Sequence, residues 1–447
     1  MIRLGKKYWL FLAAAFAISA APVLAASGQN WVTAWAGSVQ GPYPIGNPSA
    51  QPDQRFAFPS AEIGARDQTF RLIVRPDIWG PQARIRLTNA LGTKPVTFDH
   101  IYAGLQLGGP AVVRGTNRQV RFNGKERLTL APGQSAWSDS VVVPFIGKAG
   151  KAGMQAPATN KLAVSFHVVG ESGPMTWHAK ALTTSYVSPP GSGAQSHDEG
   201  ESAFPFSTAS WFFLDAVDMM APASTKVIVA FGDSITDGTA STMNGDDRWA
   251  DVMSRRLHAV YGNRVSVVIA AIGGNQVIGP AEYSPQKPFA GGPSAKDRLE
   301  RDVLSLSGVS EFIFLEGIND FSKNGNASAE NVQAGVKEIV GRLREKLPGI
   351  RVLGATLTSA LGSTSAAHGF PEQDAKRKAF NEYIRTSGLF DAVLDFDSAT
   401  LDQNTGGMRA EFIPESTTGG VGDKLHPNRA GYLSMGSSID LKLLGIK

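Results

Sequence analysis

Val227-Ile228-Val229-Ala230-Phe231-Gly232-Asp233-Ser234-Ile235 is the stretch that decides the fold of this chain. Its unbroken apolar run, closed by glycine and aspartate, predicts a strand buried on both faces, as in a parallel sheet. A strand that stops at Gly232-Asp233-Ser234, with Thr236-Asp237-Gly238 beyond it, presents a hydroxyl at the carboxyl edge of a sheet. Open α/β folds place their chemistry there. Near the other end of the chain, Asp423-Lys424-Leu425-His426 offers a carboxylate and an imidazole, the partners a serine nucleophile needs.

From Lys226 onward, strand and helix patterns alternate. Strands are expected at Val227–Phe231, Val265–Ala271, Phe312–Glu316, Arg351–Leu357 and Ala392–Phe396. Helices are expected at Arg248–Val260, Ala329–Leu347, Asp374–Thr386 and Asn428–Leu444. This order implies right-handed crossovers and a parallel sheet of about five strands covered on both faces.

From Trp31 to Ala221 the texture differs. Short β-branched and aromatic runs, such as Phe70–Arg75, Ala83–Thr88, Leu162–Val168 and Trp211–Leu214, are separated by Gly, Pro and Asn. Alternation places Arg71 and Arg75, then Arg84 and Arg86, on one face and apolar groups on the other. An antiparallel sandwich of the jelly-roll kind is expected, with Ser188–Glu201 as a mobile loop. The whole is read as residues 1–25 for export, 26–222 for the all-β part and 223–447 for the α/β part.

Arg3, Lys6 and Lys7, the apolar run from Tyr8 to Ser19 and the A-x-A-like site Val23-Leu24-Ala25 predict a signal peptide cleaved near Ala25, hence a periplasmic or secreted protein. Its removal takes three basic and no acidic residues, lowering the formal charge from +4 to +1. A nearly neutral remainder argues against a nucleic-acid partner. No later run is long enough to span a membrane. The chain has no cysteine, so it has no disulfide and no thiolate metal site. His100, His167, His178, His258 and His368 lack zinc-enzyme spacing, and neither a metal nor a cofactor is expected. His368 lies in a polar loop, Thr358 to Gln373, that is placed to line a pocket.

Two further blocks follow predicted strands: Ala271-Ile272-Gly273-Gly274-Asn275 and Gly317-Ile318-Asn319-Asp320. Each motif alone has a structural alternative. Ser234 suits a helix N-cap, Gly273-Gly274 and Asn319-Asp320 suit turns, and Asp423 and His426 suit the cap of the last helix. Asp246-Asp247 also looks like a cap, for the helix that begins near Arg248.

Taken together and in order, the four motifs resemble the SGNH hydrolases, the GDSL esterase and lipase family, from about residue 226 to the end. Ile235 stands where many members have leucine, and Ile269 where many have asparagine, so hydrogen bonding around the second block is expected to differ. The resemblance implies a three-layer, flavodoxin-like α/β fold and a carboxylic ester hydrolase. It implies Ser234 as nucleophile, His426 as base and Asp423 as its orienter, with the Ser234 and Gly274 N–H groups and the Asn319 amide forming the oxyanion hole.

The connection Ile278–Lys296 is small and polar rather than greasy, which favours short acyl esters, in particular acetyl groups on a carbohydrate. A broad-range lipase or arylesterase and a non-catalytic exported glycan-binding protein are the alternatives. Trp79, Trp137 and Trp177 are either exposed platforms for sugar rings or core residues. Oligomeric state is not legible in the sequence.

Overall fold

The computed structural model describes residues 28–142 and 161–446. The expected export segment and its cleavage site near Ala25 lie outside the described residues. Among those residues, no helix is long and apolar enough to cross a membrane.

As far as residue 222 the sheets are antiparallel. The long strands are β1 (Gln29–Ala36), β2 (Arg66–Val74), β3 (Gln82–Thr88), β4 (Val96–Gly108), β5 (Leu162–Glu171) and β6 (Leu214–Pro222). One sheet runs β1-β6-β3 and is extended by Ser135–Trp137; the other is centred on β2-β5-β4. Alternation sends Phe70, Phe98 and Phe166 inward from the second sheet, where they meet Phe212 and Phe213 at the entrance to β6. The ring centroids lie 5.3 to 6.4 Å apart.

The opposite faces carry the expected arginines, but protein covers them. The buried Arg71 guanidinium donates to Ser165 Oγ at 2.9 Å, Pro110 O at 2.7 Å and Gly200 O at 2.9 Å, and also to Asp198 O. Ser188–Glu201 is therefore a packed cover rather than the loose loop its composition suggested, because a buried guanidinium must have its donors met. Arg86 pairs with Asp215 at 2.7 Å and reaches Ser305 Oγ at 2.7 Å. Arg84 holds Asp218 at 2.8 Å and Ser307 Oγ at 3.0 Å, and Arg75 reaches Asp251 at 2.6 Å. Arg75, Arg84 and Arg86 join the antiparallel part to the remainder of the chain.

A turn at 223–225 leads directly into β7 (Lys226–Gly232). The parallel sheet also contains β8 (Val265–Ala271), β9 (Val309–Leu315), β10 (Arg351–Ala355) and β11 (Ala392–Leu394), in the order β8-β7-β9-β10-β11. The first of these strands thus lies between the second and third. That reversal opens a crevice at its carboxyl end, where Gly232 stands.

The helices are α1 (Ser234–Asp237), α2 (Trp249–Tyr261), α3 (Ala295–Leu299), α4 (Ala329–Lys346), α5 (Pro371–Thr386), α6 (Phe396–Thr400) and α7 (Arg429–Ser438). Val332, Val336, Ile339, Val340 and Leu343 form the buried stripe of α4, the spacing that predicted it. On α7, Gly436 meets α2 so closely that a Cβ there would stand 2.5 Å from Val252 Cβ.

Several boundaries differ from the sequence reading. The last helix stops at Ser438, because Ile439 turns extended and Leu444 and Ile446 fold back into the core. The last strand ends at Leu394, because Asp395 caps α6 by accepting from Ser398 N at 3.1 Å. Helices α1 and α3 were not foreseen; both are too short to show a period. Nor do Asp246 and Asp247 cap α2. Arg248 holds the N-cap position with its N–H donating to Asp251 Oδ2 at 3.1 Å, while Asp246 pairs with Lys161 at 3.1 Å.

Candidate active site

Ser234 is the first residue of α1, and it is Asp233 that caps the helix, accepting from Ile235 N at 2.9 Å. The capping alternative for Ser234 therefore fails, and its hydroxyl is free for another partner. Ser234 Oγ lies 2.8 Å from His426 Nε2. His426 Nδ1 lies 2.6 Å from Asp423 Oδ2. A carboxylate only accepts, so Nδ1 carries the proton and Nε2 is left to accept from the serine hydroxyl.

The Asp423 loop reaches this arrangement through Lys424, whose φ is 59°. Asp423 Oδ1 accepts from the N–H groups of Leu425 and His426, each at 2.9 Å. Burial works against the Asp423 charge, but His426 and these hydrogen bonds outweigh it and hold the carboxyl well below the usual range. Asn428 caps α7, accepting from Ala430 N at 2.9 Å and Gly431 N at 3.1 Å, so Asp423 and His426 are not needed as caps.

Gly274 and Asn319 follow the ends of β8 and β9. Gly232 pairs with Ala271 on one side and Leu315 on the other, so the Ser234, Gly274 and Asn319 blocks all leave the same sheet edge. Gly274 has φ 83°, a left-handed conformation that favours glycine. Asn319 Nδ2 donates to Asn275 O at 2.9 Å, which fixes the amide plane and leaves its second N–H available. Asp320 accepts from Val277 N at 2.8 Å and Ile278 N at 3.1 Å, anchoring the connection that follows the glycine block.

Three contributors were missed. Arg298, fully buried on α3, gathers the strand ends: it donates to Asn275 Oδ1 at 2.6 Å, Ala270 O at 3.0 Å, Gly232 O at 2.9 Å and Glu316 Oε2 at 3.3 Å. A lone arginine between Ala295 and Leu299 was the available signal. From the antiparallel part, Asn47 Nδ2 donates to Gly273 O at 2.7 Å, and Lys180 Nζ donates to Thr239 Oγ1 beside Gly273. Burial lowers the Lys180 pKa, opposed by the charges of Asp237, Asp233 and Asp423. Two residues before it on the same extended segment, His178 Nε2 lies 3.2 Å from Asp237 Oδ1, and Asp237 Oδ2 accepts from Gly273 N at 3.1 Å. Side chains remote in sequence thus brace the glycine block.

Buried carboxylates surround this frame. Burial, then the neighbouring Asp320 charge, pushes Asp233 up to about 7, although Ile235 N–H and Arg298 oppose it. Burial likewise pushes Asp320 up to about 6 and raises Glu316 well above the ordinary range. His368 lies near His426 and Asp423; burial and then the nearby His426 push it down to about 4, leaving it neutral near pH 7. Its loop supports Asp423, whose carbonyl accepts from Ser363 Oγ at 2.7 Å and Thr364 N at 3.0 Å.

Trp177 follows the core alternative, whereas Trp137 and Trp79 are only partly buried. Trp177 is buried with Nε1 donating to Ile45 O at 3.0 Å, Trp137 is covered by Arg84 and Arg86 at 4.5 and 5.3 Å, and Trp79 is partly buried against the core.

Residues 230–433 match the GDSL-like lipase/acylhydrolase family. Solved structures similar to this chain include a Mycobacterium smegmatis aryl esterase in its native form, 16% identical, covering 50% of this chain and 100% of that one with a TM-score of 0.38. A carbohydrate acetylesterase from Sinorhizobium meliloti is 14% identical, with 50% and 100% covered and a TM-score of 0.36. An acetyl xylan esterase is 20% identical, with 47% and 96% covered and a TM-score of 0.34. No curated protein matches the chain.

Proposed function

Since residues 230–433 belong to the GDSL-like lipase/acylhydrolase family, a family of carboxylic ester hydrolases, we propose that this protein cleaves short-chain esters through an acyl-enzyme on Ser234. The observation that carries this is the relay from Ser234 Oγ to His426 Nε2 at 2.8 Å and from His426 Nδ1 to Asp423 Oδ2 at 2.6 Å.

His426 takes the Ser234 proton as Oγ attacks the ester carbonyl, then gives it to the departing alcohol as the C–O bond breaks. Asp423 keeps the imidazole in the required tautomer and stabilises the imidazolium. The Ser234 and Gly274 N–H groups and the free Asn319 N–H receive the tetrahedral oxyanion. Water then attacks the acyl-serine with His426 again as base, releasing the acid and restoring the hydroxyl.

The substrate we propose is an O-acetyl group on a carbohydrate. The small and polar residues of Ile278–Lys296 support a short acyl group, and the amides and hydroxyls nearby (Asn47, Thr239, Asn319, Ser363) suit a hydroxyl-rich alcohol. We read residues 26–222 as a jelly-roll-like sandwich, supported by the phenylalanine contacts between its sheets, and 223–447 as the hydrolase domain. Residues 1–25 have the composition of an export signal.

The test is acetate and p-nitrophenol release from p-nitrophenyl esters of increasing chain length and from acetylated polysaccharides, with Ser234→Ala alongside. Turnover that favours acetyl and vanishes in the variant supports the proposal. A preference for long chains points to a lipase, and turnover that survives Ser234→Ala refutes the nucleophile.

A further inference from the structure

In the sheet centred on β2, β5 and β4, the middle strand carries His167. Regular alternation would set Asp99 and His100 on opposite faces of β4. The register prevents this: Ser165 faces Tyr102 and His167 faces Asp99, so His100 and Ile101 together stand opposite Phe166 alone. This is a β-bulge, with His100 at φ 45°. It turns Asp99 and His100 outward together while Phe98 and Ile101 stay fully buried. On the other side of β5 the register shifts after Val168, and Asp67 sits at φ 48°. A left-handed backbone is unfavourable for a residue with a Cβ. Two such residues flank one imidazole here, and bulges are over-represented where a side chain has to be re-aimed at a functional site.

Their side chains converge. His167 Nδ1 lies 2.7 Å from Asp99 Oδ1, and His100 Nδ1 lies 2.9 Å from the same oxygen. One ligand atom from each of the three residues falls within 4.8 Å of the others. Behind them, His167 Nε2 is 2.9 Å from Asp67 Oδ1. Two imidazole nitrogens and a carboxylate oxygen are the donor set that first-row divalent cations take, and zinc in particular. A carboxylate hydrogen-bonded to the far nitrogen of a ligating histidine is the usual support for such a ligand.

The geometry points to a divalent-cation site of the zinc type, held by Asp99, His100 and His167, braced by Asp67 and open to solvent at its fourth position. None of the four residues takes part in the Ser234 relay, so the ion is a staple for three neighbouring strands. The chain positions 99, 100 and 167 follow no metal-binding motif, and only the bulges bring them together.

The test is zinc titration of the EDTA-treated mature protein by calorimetry, with cobalt(II) absorption and zinc-dependent thermal stability as further readouts. The expected result is one ion per chain, a raised melting temperature and a tetrahedral cobalt spectrum. Binding should weaken roughly 10- to 100-fold in Asp67→Asn, in line with loss of a supporting carboxylate, and more in Asp99→Asn. His100→Gly removes a ligand while easing the backbone, so the metal-free protein should keep or gain stability and lose the zinc response. Ser234→Ala should bind as the parent does. Absence of stoichiometric zinc, or binding unchanged in His100→Gly, overturns the proposal.

Discussion

Alanine in place of Gly274 gives a prediction in which steric and hydrogen-bonding effects separate. At φ 83° an L-residue costs about 1–2 kcal/mol. The new Cβ would also lie 2.5 Å from Asn47 Nδ2, too close to tolerate, so Asn47 must swing away and surrender its 2.7 Å hydrogen bond to Gly273 O. Such a bond is worth about 1 kcal/mol net. Gly274→Ala should therefore lose about 2–3 kcal/mol in urea unfolding and, with its N–H displaced, about 100-fold or more in kcat with little change in KM. Asn47→Ala alone should lose about 1 kcal/mol. The double variant has no amide to displace and should lose no more than Gly274→Ala alone, leaving a coupling of about 1 kcal/mol. Strict additivity, or a Gly274→Ala protein as stable as the parent, would refute the assigned contact.

Asn319→Ala removes one proposed oxyanion donor and should lower kcat about 100- to 1000-fold in steady-state assays with the Ser234 acyl-enzyme still detectable. Arg298→Lys cannot satisfy the five acceptors gathered by the guanidinium, Asp302 Oδ2 at 3.1 Å being the fifth, and should destabilise the fold by about 3–5 kcal/mol; a loss below about 1 kcal/mol in urea titration would show that the strand ends hold without it. Asp233, pushed up to about 7, binds a proton in the folded state that it has released in the unfolded state at the same pH. Its stabilising contribution is therefore present below about pH 4 and disappears as pH rises through about 7. Asp233→Asn should flatten that decline, which parallel urea titrations at pH 5 and pH 8 measure, and a decline identical to the parent's would exclude this carboxyl as its source.

The parts of the fold visible in the sequence are those encoded by local period and punctuation. Val227–Phe231 is continuous and apolar because it is buried on both faces, and α4 shows its stripe because only one face is buried. The Ser234, Gly274, Asn319 and Asp423/His426 blocks were visible because each follows or precedes a recognisable element. Asn47, Lys180 and Arg298 were not, since each acts across a fold whose close approaches no short spacing records. The same limit explains the arginines of β2 and β3, where alternation revealed a polar face but not that protein covers it. It also explains Trp177, whose burial depends on partners remote in sequence.

β6 ends at Pro222 and β7 starts at Lys226, so residues 223–225 alone join the antiparallel part to the parallel sheet. Even fully extended, a tether of this length reaches only about 10–11 Å. Asn47 and Lys180, held on one side of that junction, brace a glycine turn on the other. These two hydrogen bonds and the short tether tie the two sides of the junction together at the glycine turn. On the proposed reading of an acetylated carbohydrate as substrate, selection among substrates is then a matter of the shape of this junction rather than of closure.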